Sequence, residues 1–144
     1  MADTRRDQKY LGIDTNVLVA YLDGDHPNHK ETQNLTKRRI ALNPTIIHEA
    51  YHTLVFKMKW TEDDASEVLK AAFLDEHNMF INQSMRTTTI GLDIATQYHL
   101  GGRDALIAAN FLSGRVNECR TLDRELLDIG KIKYGRRSLS FTSL

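Results

Sequence analysis

The chain has 144 residues, 41% of them hydrophobic and 26% charged, with 8 glycines and 2 prolines, which excludes collagen-like, low-complexity and wholly disordered proteins. Its 19 Lys and Arg residues balance 19 Asp and Glu residues, so any affinity for nucleic acid or membrane must come from local patches. The single cysteine, Cys119, excludes an internal disulfide and a zinc site of several thiolates. With no apolar run long enough to span a bilayer and no signal-peptide pattern, we expect one domain over residues 1–144, in the cytoplasm and not bound to a membrane, with residues 1–8 loosely held.

Strand and helix patterns alternate along the first half of the chain. The first predicted elements, in order, are a strand at 10–13, a helix from Thr15 to a break at 24–27, a polar helical stretch at 28–39 and a strand at 40–42. Asn43 as cap and Pro44 as first helical residue then begin a helix whose apolar spacing extends to Met58. Thr61 caps the next helix, which is strongly amphipathic and ends near His77.

The second half of the chain continues this alternation. Its predicted elements, in order, are a strand at 79–81, a helix marked by apolar positions at 90–98, an almost wholly apolar helix from 104 to 113, a strand at 116–121, a short helix at 123–129 and a last edge strand at 138–144. Strands that alternate with helices require crossover connections. The sequence therefore predicts an α/β fold with a mostly parallel sheet that helices cover on both faces.

Four carboxylates stand where such a sheet binds ligands, in the crevice beyond the carboxyl ends of its strands. Asp14 ends the first strand, Asp123 follows a later strand, Asp104 begins a helix, and Glu49 lies one turn into another helix. Each of them alone is equally well explained as a helix cap, a turn residue or a solvated side chain. Acids that converge on one crevice repel each other unless a cation neutralises them, and oxygen ligands favour Mg²⁺ or Mn²⁺.

The order and surroundings of these acids resemble the PIN-domain ribonucleases, and especially the VapC toxins of toxin–antitoxin pairs. The pieces that carry the resemblance are, in order, Gly12-Ile13-Asp14-Thr15-Asn16-Val17-Leu18, Pro44-Thr45-Ile46-Ile47-His48-Glu49, Tyr98-His99-Leu100 with Asp104-Ala105-Leu106-Ile107-Ala108-Ala109, and Thr121-Leu122-Asp123-Arg124-Glu125-Leu126. The resemblance implies a three-layer α/β/α sandwich. It also implies that the metal-binding and catalytic acids are Asp14, Glu49, Asp104 and Asp123, with Thr15, Asn16 and Thr121 as supporting polar groups. Residues 131–144 carry no strong motif of this family, so the last strand is the predicted element with the weakest sequence support.

The same resemblance implies an activity and partners. The activity is that of an endoribonuclease that hydrolyses RNA phosphodiester bonds with Mg²⁺ or Mn²⁺ as cofactor. A VapC-like toxin would pair with a cognate antitoxin and form a homodimer. Because arginines beside a cation-binding crevice can position phosphates, we expect Arg103 and Arg124, together with Asn16 and Thr121, to contact the substrate.

Two other functions stay open. The segment His48-Glu49-Ala50-Tyr51-His52 matches the zinc-peptidase pattern, in which two histidines one turn apart hold zinc while the glutamate acts as base. That function has no recognisable third ligand here and leaves three of the acids without a role, so we expect both histidines on the helix flank near Glu49. The other alternative is a PIN-fold binding module without activity, and the retention of all four acids counts against it.

Overall fold

The computed structural model describes residues 9–144, so the expectation for residues 1–8 lies outside the described part of the chain. The strands are β1 (Leu11–Ile13), β2 (Ile40–Leu42), β3 (Met79–Phe80), β4 (Glu118–Arg120), β5 (Lys131–Tyr134) and β6 (Arg137–Thr142). The α-helices are α1 (Thr15–Leu22), α2 (Pro44–His52), α3 (Glu62–Leu74), α4 (Met85–Tyr98), α5 (Gly102–Ser113) and α6 (Arg124–Ile129). A 3₁₀ helix spans Lys30–Lys37, and a π-helical turn, Thr53–Lys57, continues α2.

The strands form one sheet in the order β3-β2-β1-β4-β6-β5. Every neighbouring pair is parallel except β5 with β6, which is antiparallel. Strand β1 lies between β2 and β4, with Gly12 level with both Ala41 and Cys119. Crossover helices flank this sheet, so the predicted α/β/α architecture with a mostly parallel sheet is confirmed.

Side-chain caps fix the starts of three helices at the predicted residues. Asp14 accepts a hydrogen bond from the Val17 amide, Asn43 from the Ile46 amide and Thr61 from the Asp64 amide. Each of these bonds satisfies a backbone donor that the first helical turn leaves unpaired. Two of the caps directly follow strands β1 and β2, so they also set where α1 and α2 leave the sheet.

The core lies between the central strands and the helices that cover them. Leu11 and Ile13 of β1 are fully buried, and so is Phe111 of α5. A Cβ atom added to Gly12 would lie 2.9 Å from the Phe111 ring, so glycine at this position lets α5 pack closely on β1. This contact fixes the helix that carries Asp104 against the strand that ends at Asp14.

The prediction of a last edge strand at residues 138–144 was wrong in two respects. Strand β6 begins at Arg137 and is not an edge strand, because it pairs with β4 on one side and with β5 on the other. Strand β5, which the prediction missed, is the edge strand on this side of the sheet and joins β6 through a tight turn at which Gly135 has a φ of 61°. Its exposed lysines, Lys131 and Lys133, alternate with buried Ile132, as edge strands commonly do.

Two helical predictions also need correction. The helix that begins at Pro44 is α-helical only to His52, and the rest of the predicted length forms the π turn. The polar stretch at 28–39 contains a 3₁₀ helix with only Thr32 and Leu35 buried, because it has too few apolar positions to bury one face of an α-helix. Among residues 9–144, no helix combines the length and apolar character that crossing a membrane requires.

Candidate active site

All four predicted carboxylates line one cleft at the carboxyl edge of the sheet. Asp14 and Asp123 follow the neighbouring strands β1 and β4, whereas α2 contributes Glu49 and α5 contributes Asp104. The cleft has a volume of about 310 Å³, and its lining consists of Asp14, Thr15, Asn16, Glu49, His52, Thr53, Lys57, Arg103, Asp104, Ile107 and Asp123. Four chain segments far apart in sequence therefore place their acids around one space.

Asp14 is the most constrained of these acids. Its side chain caps α1, with one carboxylate oxygen accepting from the Val17 amide at 3.1 Å, and the other oxygen accepts a short hydrogen bond from the Thr121 hydroxyl. Asp14 is only 8% exposed, and Thr121 is fully buried. The carboxylate is thus held in one orientation from two sides.

Thr121 also connects Asp14 to Asp123. Its hydroxyl oxygen accepts a hydrogen bond from the Asp123 amide at 2.9 Å while its hydroxyl hydrogen is donated to Asp14. Asp123 in turn caps α6, since one of its carboxylate oxygens accepts from the Glu125 amide at 2.8 Å. A single threonine therefore fixes the geometry of the turn after β4 relative to the end of β1.

Glu49 has two polar partners in the cleft. The Thr15 hydroxyl donates to one of its carboxylate oxygens at 3.2 Å, and Arg103 lies 3.4 Å from the other. The Arg103 side chain is 79% exposed, so water screens this ion pair and it adds little to stability. Arg103 is free to exchange Glu49 for another anion at the mouth of the cleft.

The carboxylates influence each other electrostatically. Burial raises the pKa of Asp14 from its ordinary 3.8 to about 6, and the charges of Asp104 and Asp123 add to the rise, against the hydrogen bonds from Thr121 and Val17. Burial also raises the pKa of Asp104, with further contributions from the charges of Asp123 and Glu49. Carboxylates with such raised pKa values gain from any cation that enters the cleft.

The donor set fits a hard divalent cation better than a zinc ion. Within residues 9–144, no three His, Cys, Asp or Glu side chains form a ready cage for a metal. Mg²⁺ does not require one, because it keeps several water ligands and is commonly held by one or two carboxylates together with substrate phosphates. Asp14, Asp104, Asp123 and Glu49 supply oxygen atoms only, which is the chemistry that Mg²⁺ and Mn²⁺ prefer.

The four residues predicted to contact substrate lie in different places. Asn16 and Arg103 line the cleft. Thr121 lies behind Asp14 and is fully buried, so its hydroxyl acts on Asp14 and Asp123. Arg124, the first residue of α6, is exposed and does not belong to the cleft lining.

The structure adds cleft residues that the sequence prediction did not include. His52 and Thr53 follow Glu49 at helical spacing and could have been inferred from that periodicity. Lys57 lies eight positions after Glu49, in the π turn, and also belongs to the lining. No sequence pattern indicated this turn, although single π turns inside helices are frequent at functional sites.

The two histidines of the zinc-peptidase pattern line different surfaces. His52 lines the acidic cleft and contacts the Phe56 ring, with ring centroids 4.8 Å apart. His48 instead lines a groove between α2 and α3 together with Tyr51, Leu69 and other side chains. Both lie on the helix flank near Glu49, but they do not face one common space.

Comparisons with known proteins agree with this fold. Mycobacterium tuberculosis VapC20, described as a toxin that cleaves the sarcin-ricin loop, superimposes with a TM-score of 0.72 at 12% identity, covering 86% of this chain and 98% of that one. A chain of VapBC2 from Rickettsia felis, bound to a fragment of promoter DNA, gives a TM-score of 0.65 at 15% identity, covering 94% and 98%. A toxin–antitoxin complex from Klebsiella pneumoniae gives 0.60 at 20% identity, covering 80% and 87%.

At these identities the superpositions establish a shared fold, and no curated protein matches the sequence. The family assignment comes from the sequence itself. Residues 12–132 match the PIN domain, a range that begins in β1, ends in β5 and includes all four cleft acids. The chain therefore belongs to the PIN domain family, as the motifs around its acids predicted.

Proposed function

We propose that this PIN-domain protein is a divalent-metal-dependent endoribonuclease and the toxin of a toxin–antitoxin pair, acting in the cytoplasm with residues 1–144 as one domain. The observation that carries the proposal is the cleft in which Asp14, Glu49, Asp104 and Asp123 converge, with the pKa of both Asp14 and Asp104 raised. Membership of the PIN family and the fold shared with VapC toxins support a nuclease.

Each acid has a separate role in this proposal. Asp14 and Asp104 hold the divalent ion directly, Asp123 contributes to a second or weaker ion position, and Glu49 orients the attacking water or accepts its proton. A bound Mg²⁺ or Mn²⁺ supplies the positive charge that activates water and stabilises the leaving oxygen of a phosphodiester. Thr121 positions Asp14 and Asp123 through the two hydrogen bonds it makes.

The rim of the cleft supplies groups for an RNA substrate. Arg103 is mostly exposed beside Glu49, and Lys57 and Asn16 are exposed elsewhere on the lining. Cationic side chains that line the same cleft as the acids can bind the phosphates that flank the cleaved bond. The description of VapC20 as a toxin that cleaves the sarcin-ricin loop supports RNA as the substrate class.

The proposal is tested by RNA cleavage in Mg²⁺ with carboxylate-to-amide variants. Asp14→Asn and Asp104→Asn each remove an anionic ligand with little change of shape, so cleavage should fall at least about 100-fold while the protein stays folded. Asp25→Asn, which changes an exposed carboxylate in the loop after α1, is the matched control and should cleave like wild type. Folded Asp14→Asn and Asp104→Asn variants with full activity would overturn the assignment.

An antitoxin partner is supported by an apolar groove next to the cleft. Ile47 and Tyr51 of α2, with Leu69 and Phe73 of α3, line a groove of about 300 Å³. Because toxin–antitoxin complexes share this fold, we infer that an antitoxin helix covers this groove and that its adjoining tail reaches the acids. A small DNA-binding protein encoded by the adjacent gene should copurify with the wild type and not with Ser66→Arg, which places a large charged side chain at a half-buried position of the groove. A homodimer stays a prediction, which sedimentation velocity tests.

The zinc-peptidase alternative is tested at the segment that both functions share. Replacing His48 and His52 together by alanine removes no ligand of the proposed Mg²⁺ site, so RNA cleavage should persist. Under the peptidase alternative, stoichiometric zinc in the wild type would be lost in the double variant. Elemental analysis beside RNA cleavage in Mg²⁺ decides between them. Zinc in the wild type that disappears from the double variant would contradict the nuclease proposal, as would a wild type that cuts peptides and not RNA.

A further inference from the structure

A second, larger groove lies at the other end of helix α5. Its volume is about 450 Å³, and its walls come from the first half of α4, the end of α5 and the turn between β5 and β6. Three arginines line it, Arg86 from α4 and Arg136 and Arg137 from the turn, together with Tyr134. We call it the arginine groove. Among residues 9–144, no carboxylate belongs to its lining, although the chain as a whole has no net charge.

One of the three arginines has a structural explanation. The Arg137 guanidinium donates hydrogen bonds of 2.9 and 3.1 Å to the carbonyl oxygens of Leu112 and Ser113, so it caps the carboxyl end of α5. This contact fixes one wall of the arginine groove. It does not account for Arg86 of α4 or for Arg136 of the turn, neither of which takes part in these hydrogen bonds.

Within the described part of the chain, Arg86 and Arg136 are exposed cations without an acidic partner. Among residues 9–144, the ion pairs between described side chains are Arg103 with Glu49 and Arg120 with Glu118, and neither involves the groove. The nearby Asp93 of α4 accepts a hydrogen bond of 3.0 Å from the hydroxyl of Tyr134, which lines the groove. Three guanidinium groups, one of them anchored, therefore face an open space with unused hydrogen-bond donors, an arrangement suited to phosphate.

The distance from this groove to the acids follows from the elements that connect them. Asp104 and Ser113 are nine helical residues apart, which corresponds to about 14 Å along α5. Arg137 and Thr142 are five strand residues apart along β6, or about 17 Å, and Thr142 is level with Arg120 at the end of β4. If the bound RNA strand is stacked as in a helix, with about 3.4 Å of axis per nucleotide, about 15 Å corresponds to four or five nucleotides.

We propose that the arginine groove binds phosphates of the RNA chain four or five nucleotides away from the cleavage position. This inference rests on the proposed ribonuclease function. The groove would make binding depend on RNA length, since an RNA that ends within the acidic cleft cannot reach Arg86 and Arg136. Phosphate contacts of this kind carry no base specificity and fix the position of the RNA chain.

The test compares RNA affinities of a double variant, Arg86→Ala with Arg136→Ala, in an Asp104→Asn background that does not cleave. Fluorescein-labelled random-sequence RNAs of about 30 and about four nucleotides are the probes, titrated in several salt concentrations. Affinity for the long RNA should fall about tenfold, and the slope of log affinity against log salt should decrease by about 1.4 for two lost phosphate contacts on a single strand. Affinity for the short RNA should not change.

The matched control is Lys30→Ala with Lys37→Ala, which removes two positive charges from the 3₁₀ helix next to α1. It should bind both RNAs like its parent. Equal loss in the control, equal loss for both RNA lengths, or an unchanged salt slope would overturn the proposal. Unchanged melting temperature of the double variant, expected for two exposed side chains, excludes loss of fold as the cause.

Two further probes separate other sources of negative charge. Inorganic phosphate that binds the wild type more tightly than the long RNA does, and that loses this affinity in the double variant, would make the groove a small-anion site and contradict the proposal. Polyglutamate that binds more tightly than RNA, and loses this affinity in the double variant, would assign the groove to an acidic protein segment. A wild type that cuts no RNA would contradict the nuclease proposal but not the groove proposal. In that case, loss of affinity for the long RNA in the double variant would still show that RNA contacts the groove.

Discussion

The two ends of helix α5 show opposite ways of placing charge in a chain that has none overall. At the first end, Asp104 joins acids that are partly or almost wholly buried, and burial raises the pKa values of Asp14 and Asp104. At the last end, Arg86, Arg136 and Arg137 remain exposed around an open groove. Burying a charge costs free energy, whereas an exposed charge keeps its water. Destabilising electrostatics should therefore be concentrated at the acidic end, and the basic end should affect ligand affinity without affecting stability.

The largest expected effect concerns the proton on Asp14 in the metal-free protein. The pKa of Asp14 is about 6 in the folded chain and near its ordinary 3.8 in the unfolded chain, so the folded state holds the extra proton between these values. The free energy of unfolding should therefore fall as the pH rises from about 4 to 6, by about 3 kcal/mol from this group. Asp14→Asn, which cannot ionise, should lose this contribution.

Urea unfolding at pH 4, 5, 6 and 7 in the presence of a chelator measures the effect. The informative quantity is the difference between wild type and Asp14→Asn at each pH, because other acids titrate in both proteins. That difference should grow in favour of Asp14→Asn as the pH rises, and Asp25→Asn should show no such trend. If the difference in free energy of unfolding is the same at every pH, the buried charge of Asp14 does not destabilise the protein. The electrostatic contrast between the two ends of α5 would then be wrong.

The next effect concerns the hydroxyl that positions Asp14. Thr121→Val keeps the shape of the side chain but removes the hydrogen bond to Asp14 and the acceptor for the Asp123 amide. RNA cleavage should fall about 10- to 100-fold, the range typical of groups that orient metal ligands. Since the Thr121 bond lowers the pKa of Asp14, the acid limb of the pH–rate profile should move to higher pH in Thr121→Val.

Thr121→Ser retains the hydroxyl and is the control for this variant. It should keep most of the activity and the wild-type pH profile. An activity loss in Thr121→Val without any movement of the acid limb would show that Thr121 acts only through packing.

The smallest effect is expected in the turn between β5 and β6, beside the arginine groove. Gly135 has a φ of 61°, a backbone conformation that residues other than glycine rarely adopt. A Cβ atom added to it would meet no other atom within 4 Å. Gly135→Ala should destabilise the protein by about 1 kcal/mol through backbone strain alone. Gly24→Ala, at an exposed turn position that also has open space, is the matched control. If Gly135→Ala unfolds at the same urea concentration as wild type, the turn that presents Arg136 is not conformationally fixed.

The central strands and the acids that follow them could be predicted because their signals are local. Asn43 with Pro44, and Thr61 before three acids, mark helix starts through capping alone, without reference to the rest of the fold. Asp14 and Asp123 stand directly after short apolar strands, so a parallel sheet alone predicts that they meet at one edge. Glu49 and Asp104 required the resemblance to PIN-domain ribonucleases, since each is also explained by an ordinary helix position.

The features that prediction missed depend on tertiary pairing or on small backbone shifts. Strand β5 alternates lysine with apolar residues for only four positions, a pattern too short to separate from a loop until β6 pairs with it. The π turn after His52, which includes Lys57 of the cleft lining, has no residue type that a sequence rule recognises. The arginine groove joins α4 to a turn some 50 residues later, so Arg86 becomes a neighbour of Arg136 and Arg137 only in the folded chain.

The central claim is that the carboxylates at the first end of α5 share one divalent cation. The most direct measurement is the melting temperature of wild type, Asp104→Asn and Asp25→Asn over a range of Mg²⁺ and Mn²⁺ concentrations. An ion that binds the folded state stabilises it by about 2.7 kcal/mol at 100 times its dissociation constant, so the melting temperatures of wild type and Asp25→Asn should rise by several degrees. Asp104→Asn should lose most of that rise. A wild type whose melting temperature does not respond to either ion, or an Asp104→Asn variant that responds equally, would contradict a shared cation site.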